Sequence, residues 1–146
     1  MLEFKQLYGV DGAAAALPVL TATFGKIEED GFDAAAWHIV GYDAGVLIGA
    51  ARLRRVGDGV FAIDRVAVKD GMRGEYIGDL MMKTLQDKAV SEGGYMTTVT
   101  TPAKTRGFFE KLGYELSGAA FADGEAVMRK DLTKVCRSCC EGKCSR

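Results

Sequence analysis

Arg73, Gly74 and Gly78 stand in the loop between an apolar run, Ile63-Asp-Arg-Val-Ala-Val68, and an amphipathic segment that opens at Ile77. That order reads as strand, short loop, helix. A helix N-terminus carries unpaired backbone N–H groups and the positive end of the helix dipole. Small residues ahead of it let a phosphate come close to the backbone. The chemistry this spacing suits is the holding of a phosphorylated cofactor. It is not a Walker A loop, because no Gly-Lys-Ser/Thr closes it, and it lacks the three glycines of the dinucleotide fingerprint.

A second segment follows about thirty residues on: Gly107-Phe-Phe-Glu-Lys-Leu-Gly-Tyr114. Together the two resemble the GNAT superfamily of acyl-CoA-dependent N-acetyltransferases over roughly residues 2 to 130. Arg73 and Gly78 fall on the first and last positions of that family's Gln/Arg-x-x-Gly-x-Gly/Ala loop. Phe108-Phe-Glu-Lys-Leu-Gly-Tyr114 matches its Phe-Tyr-Glu-Lys-x-Gly-Phe helix end. There are two departures. Tyr76 takes the place of the usual middle glycine, and Phe109 that of the frequent catalytic tyrosine.

The resemblance implies the rest of the chemistry. Acetyl-CoA would lie along Val66, Ala67 and Val68, whose backbone would pair with the pantetheine amides as a further strand does. A backbone N–H there would donate to the thioester oxygen. Arg73, Gly74, Glu75, Tyr76, Ile77 and Gly78 would hold the pyrophosphate, and Phe109 would lie by the cofactor. A lysine-like acceptor amine has a pKa near ~10.4, so freeing it of its proton at pH 7 costs roughly 4–5 kcal/mol. Asp64 stands where many members carry an acid for that task. Its other reading is a strand carboxylate paired with Arg52 or Arg54 across the hairpin. Tyr76 or a water would replace the missing tyrosine as proton donor. Glu28, Glu29, Asp30 and Asp33 would suit a cationic amine, or form an ordinary solvated face. His38, beside Trp37, reads as a packed histidine more readily than a base.

The elements that must position these groups follow from periodicity. Residues 2–8 alternate as a strand. Asp11 would cap a helix over 12–24, and a shorter helix would occupy 26–35, broken at Gly31. Strands are expected over 37–42, 46–55 and 60–68, joined by turns at Asp43-Ala-Gly45 and Gly57-Asp-Gly59. A helix from Ile77 to Glu92 carries Ile77, Leu80, Met81, Leu85 and Ala89 at helical spacing and stops at Gly93-Gly94. A strand over 95–100 leads to Thr101-Pro102, an N-cap and first-turn proline pair, and a helix ending at Gly113. A last hairpin over 114–118 and 125–130 would turn near Asp123-Gly124. The fold class expected is α/β in the α+β sense: a mixed, mostly antiparallel GNAT-like sheet flanked by helices. Only the strands at 60–68 and 95–100 would run parallel.

A chain of 146 residues with 48 % apolar content can build one sizeable core. The expected division is an acetyltransferase-like domain over 1–130 and a Cys-rich tail over 131–146. A net charge of −1 offers no footprint for nucleic acid. No apolar run is long enough to span a bilayer, and Met-Leu-Glu-Phe-Lys does not have the pattern expected of a signal peptide. A cytoplasmic protein is expected, with homodimerisation a further expectation. All four cysteines, Cys136, Cys139, Cys140 and Cys144, lie in the tail. They could bind one zinc, remain a reduced flexible tail, or pair on oxidation. The leading expectation is acetyl transfer from acetyl-CoA to a primary amine. The alternative is a non-catalytic acyl-CoA-binding module with a metal- or redox-responsive tail.

Overall fold

The computed structural model describes residues 1–72, 76–118 and 124–133. Its strands are β1 (Leu2–Tyr8), β2 (Ala36–Asp43), β3 (Val46–Gly57), β4 (Val60–Val68), β5 (Met96–Pro102), β6 (Glu115–Leu116) and β7 (Glu125–Asp131). Its helices are α1 (Val10–Phe24), α2 (Ile77–Ser91) and α3 (Arg106–Lys111). The strands form one sheet in the order β1-β2-β3-β4-β5-β7-β6. Register is antiparallel for β1–β2, β2–β3, β5–β7 and β6–β7. β4 and β5 are parallel, pairing Val60, Phe61 and Ala62 with Met96, Thr97 and Thr98. The mixed, mostly antiparallel sheet flanked by helices is the architecture the sequence predicts; it has three helices where four were expected.

The chain divides into two compact units. The first comprises Met1–Arg54 and Ile63–Asp87. Its core joins Ala16, Val19 and Leu20 of α1 to Val40, Ala50 and Ala67 of the strands. From α2 come Ile77, Met81, Met82 and Leu85, all within 1 % of full burial. Leu80, expected on that stripe, is 43 % exposed and Met82 takes its place. In the second unit, Arg55–Ala62 and the described residues from Lys88 onward, the core is built of Phe61, Val99, Phe109, Tyr114, Ala126 and Met128.

Ala44 and Gly45 take φ of +51° and +83° between β2 and β3, the two left-handed residues a tight two-residue hairpin turn requires. The other local signals were partly overruled. Helix α1 starts one residue before Asp11, at Val10, and its cap position is Gly9 with no side-chain cap bond; Asp11 lies in the first turn. The helix expected over 26–35 is reduced to a single 3-10 turn at Asp33–Ala35. Gly31 there has φ of +81°, and the carboxylates of Asp30 and Asp33 are drawn away to Arg52. Thr101 and Pro102 do not cap a helix. β5 keeps its pairing to β7 through Pro102, opposite Glu125, and proline is tolerated at a strand end. The Thr101 hydroxyl bonds that of Thr105, and α3 begins only at Arg106. Asp123 lies outside the described residues.

Gly12 of α1 is fixed by a neighbour. A Cβ there would lie 2.7–2.8 Å from the His38 ring, and His38 is 2 % exposed. Gly12→Ala gains about 1 kcal/mol in helix propensity, but overpacking a filled site costs about 1–3 kcal/mol. The variant is expected to be less stable in urea unfolding. A midpoint equal to or above that of the parent would show that the ring gives way.

Candidate active site

The segment from Asp64 to Ile77 is bracketed by two strained residues. Among the described residues three that are not glycine have positive φ: Ala44 in its turn, Arg65 at +50° and Tyr76 at +63°. A left-handed conformation costs roughly 1–2 kcal/mol for a residue with a Cβ, and such strain collects at functional sites. Arg65 shares the parity of Phe61, Ile63 and Ala67, which are 0–2 % exposed. Its twisted backbone turns the guanidinium out of that row. The guanidinium donates to the Glu28 carbonyl at 2.9 Å and to Asp30 Oδ2 at 3.3 Å, and stands 3.5 Å from Asp33 Oδ1. Val66, Ala67 and Val68 follow at once.

Tyr76 closes the segment. Its carbonyl accepts the Leu80 N–H at 3.0 Å, which makes it the cap residue of α2, and its side chain is 74 % exposed. The glycine-like backbone is therefore kept at this position although the residue is tyrosine. Ile77, Gly78 and Asp79 form the first turn of α2, so their N–H groups have no partner within the helix. Arg73, Gly74 and Glu75 lie outside the described residues.

Asp64 does not stand free. Arg52 donates Nε to its Oδ1 at 2.7 Å and Nη2 to its Oδ2 at 2.9 Å, and Arg54 Nε donates to Oδ2 at 3.0 Å. The pairing across the hairpin is the arrangement found. Arg52, 3 % exposed, is the hub. It also donates to Asp30 Oδ1 and Oδ2 at 3.0 and 2.7 Å and to Asp33 Oδ1 at 3.0 Å. The face of Phe32 lies 4.3 Å from the Arg54 guanidinium carbon, a cation–π contact. Hydrogen bonding from Arg52 holds the Asp30 carboxyl far below the usual carboxylate range, against the opposing effect of burial. Burial lowers the pKa of His38, with the nearby Asp33 working the other way. His38 Nε2 has no hydrogen-bond partner and is 3.9 Å from Asp33 Oδ1. Its ring is a packing element against α1, as its surroundings in the sequence suggest.

A cavity of about 420 Å³ opens in the same unit. One wall is α1, through Val10, Ala13, Ala14 and Leu17; the other carries Glu28, Glu29, Asp33 and Arg65. Of the four acids expected to greet a cationic amine, Asp30 and Asp33 are taken up by arginines, and Glu28 and Glu29 remain at the rim. One contributor was missed from sequence. Arg65 carries a legible signal, a charge at a buried strand parity.

Phe109 belongs to the second unit. It is 7 % exposed, with ring centroids 5.0 Å from Phe108 and 5.8 Å from Tyr114 in edge-on geometry. Tyr114 in turn shares a 2.8 Å hydroxyl bond with Thr97. Phe109 is thus a packing residue of α3. All four cysteines lie outside the described residues, among which no group of three or more His, Cys, Asp or Glu is placed to hold a metal. No helix among them is long and apolar enough to cross a membrane.

The chain and its fold resemble known proteins. The sequence model of the Acetyltransferase (GNAT) family matches residues 10–114. The fold is that of Escherichia coli ElaA, at 20 % identity and a TM-score of 0.79 over 90 % of this chain and 100 % of that one. An acyl-CoA N-acyltransferase from Pseudomonas aeruginosa is similar at 20 % identity and a TM-score of 0.76, over 89 % of this chain and 99 % of the other. The PaiA N-acetyltransferase of Thermoplasma acidophilum, solved in complex with coenzyme A, is similar at 12 % identity and a TM-score of 0.68, over 90 % and 99 %. The chain belongs to the GNAT acetyltransferase family.

Proposed function

We propose that the protein transfers an acetyl group from acetyl-CoA to the nitrogen of a cationic primary amine. The observation that carries this reading is the pair of left-handed residues, Arg65 and Tyr76, that flank Val66–Val68 and the open first turn of α2, within the residues the family model matches. Acetyl-CoA supplies an activated thioester. The backbone of Val66, Ala67 and Val68 would align its pantetheine arm, and the N–H groups of Ile77 and Gly78 would meet its pyrophosphate with Arg73, Gly74 and Glu75. The Tyr76 hydroxyl, on an exposed side chain at the start of α2, is the protein's own proton donor in this scheme. Family membership supports an enzyme over a non-catalytic acyl-CoA-binding module. Thiol release from acetyl-CoA with a panel of amines tests the choice. Acetyl-CoA binding without amine-dependent release from any acceptor would establish the binding module instead.

Asp64 acts in this proposal as a positioning residue, holding Arg52 and Arg54. Asp64→Asn keeps the shape and removes the charge. Its expected outcome is a lowered thermal midpoint, with kcat/KM still rising with pH as the acceptor amine loses its proton. If the stability holds and the pH dependence of kcat/KM flattens, the carboxylate is the general base after all.

A further inference from the structure

Helix α1 is apolar on two sides. Gly12, Ala16, Val19 and Leu20 are buried. Val10, Ala13, Ala14 and Leu17, at the i, i+3, i+4, i+7 spacing of one face, line the cavity instead, with Val10 63 % and Leu17 47 % exposed. Ile27 and Leu20 extend that wall. Facing it are three carboxylates and one guanidinium. The guanidinium, Arg65, is already engaged by Asp33 and by the Glu28 carbonyl. The negative charge left over belongs to Glu28 and Glu29. Glu28 is held only loosely, 3.7 Å from Lys26.

From this cavity we infer the class of acceptor: an amine with a single primary ammonium group and an apolar body, of the alkylamine or arylalkylamine kind, not a polyamine. The inference rests on the acetyl-transfer reading above and narrows it. The ammonium is drawn to Glu28 and Glu29, and the hydrocarbon covers Val10, Ala13, Ala14 and Leu17. A volume of about 420 Å³ suits a small organic molecule. Spermidine fits poorly, because Glu28 and Glu29 can offset only two of its three ammonium charges, and the rest of its charged chain would meet the hydrocarbon wall or the Arg65 guanidinium. Burying a charge without a partner is costly.

Calorimetric titration of the full chain, with and without CoA, tests the inference using 2-phenylethylamine, the isosteric 2-phenylethanol and spermidine. The amine is expected to bind at least fivefold more tightly than either of the others. In the Glu28→Gln, Glu29→Gln double variant its advantage over the alcohol should fall below twofold. Leu17→Asn, on an exposed helix position, should weaken the amine at least fivefold while leaving the far-UV circular dichroism unchanged. Equal affinity for amine and alcohol, tighter spermidine binding, or no amine binding in either condition overturns the inference. So does sedimentation showing a dimer that Leu17→Asn dissociates, since a second copy would then cover this face. The two readings fail separately. Thiol release with spermidine but not with 2-phenylethylamine leaves acetyl transfer standing and removes the acceptor class. Absence of acetyl-CoA binding removes the transfer reading and leaves the amine preference measurable.

Discussion

Arg52→Met should lower the folding free energy by about 3–5 kcal/mol, the scale on which breaking a buried ion cluster by removing one partner destabilises a protein. The guanidinium is 3 % exposed and donates to Asp30, Asp33 and Asp64. Without it three carboxylates face one another with only Arg54 and Arg65 nearby. Arg52→Lys keeps the charge but not the planar fork, and cannot reach three acids at once. It should recover less than half of the loss. The pH dependence has a defined sign. Asp30 is held below its unfolded value, so the stability it contributes is present above about pH 4 and is lost as the pH falls toward the folded pKa. In Arg52→Met that contribution is absent, so the gap between parent and variant should narrow in acid. Urea unfolding at pH 7 and pH 3 reads both effects. A gap of the same size at the two pH values would mean that the cluster is not what Arg52 stabilises.

Gly78→Leu is expected to weaken CoA more than tenfold, a loss of at least about 1.4 kcal/mol, while raising or preserving the thermal midpoint. The two readouts move in opposite directions for a physical reason. Leucine is favoured over glycine in a helix by about 1 kcal/mol, and Gly78 lies in the first turn of α2, partly exposed. The same side chain would stand over the N–H groups that the pyrophosphate needs. Calorimetry of the variant with CoA showing unchanged affinity would remove the pyrophosphate from this helix end.

The succession of strands along the chain, the hairpin turn at Ala44-Gly45 and α2 were legible because each is written in local spacing. What was not legible depended on partners far along the chain. The segment 26–35 was expected as a short helix, yet Arg52, some twenty residues away, holds Asp30 and Asp33, and only the 3-10 turn Asp33–Ala35 is helical. Thr101-Pro102 has the pattern of a helix start, but the ladder to β7 continues across it. At the site, the sequence offered pairing with Arg52 or Arg54 as one reading of Asp64, and both arginines bond it; that one carboxylate serves both is set by side-chain geometry that local spacing does not carry. Tyr76 in place of glycine hid a backbone that is glycine-like all the same.

The two-sidedness of α1 bears on how such a protein diverges. Residues that keep it folded and residues that would meet an acceptor alternate along one fifteen-residue helix and scarcely overlap. Val10, Ala13, Ala14 and Leu17 can drift while Gly12, Ala16, Val19 and Leu20 stay fixed. Lineages carrying this helix can therefore exchange one amine for another through surface substitutions worth only a few tenths of a kcal/mol each in folding, and a laboratory library confined to those four open positions would explore new acceptors on an intact scaffold.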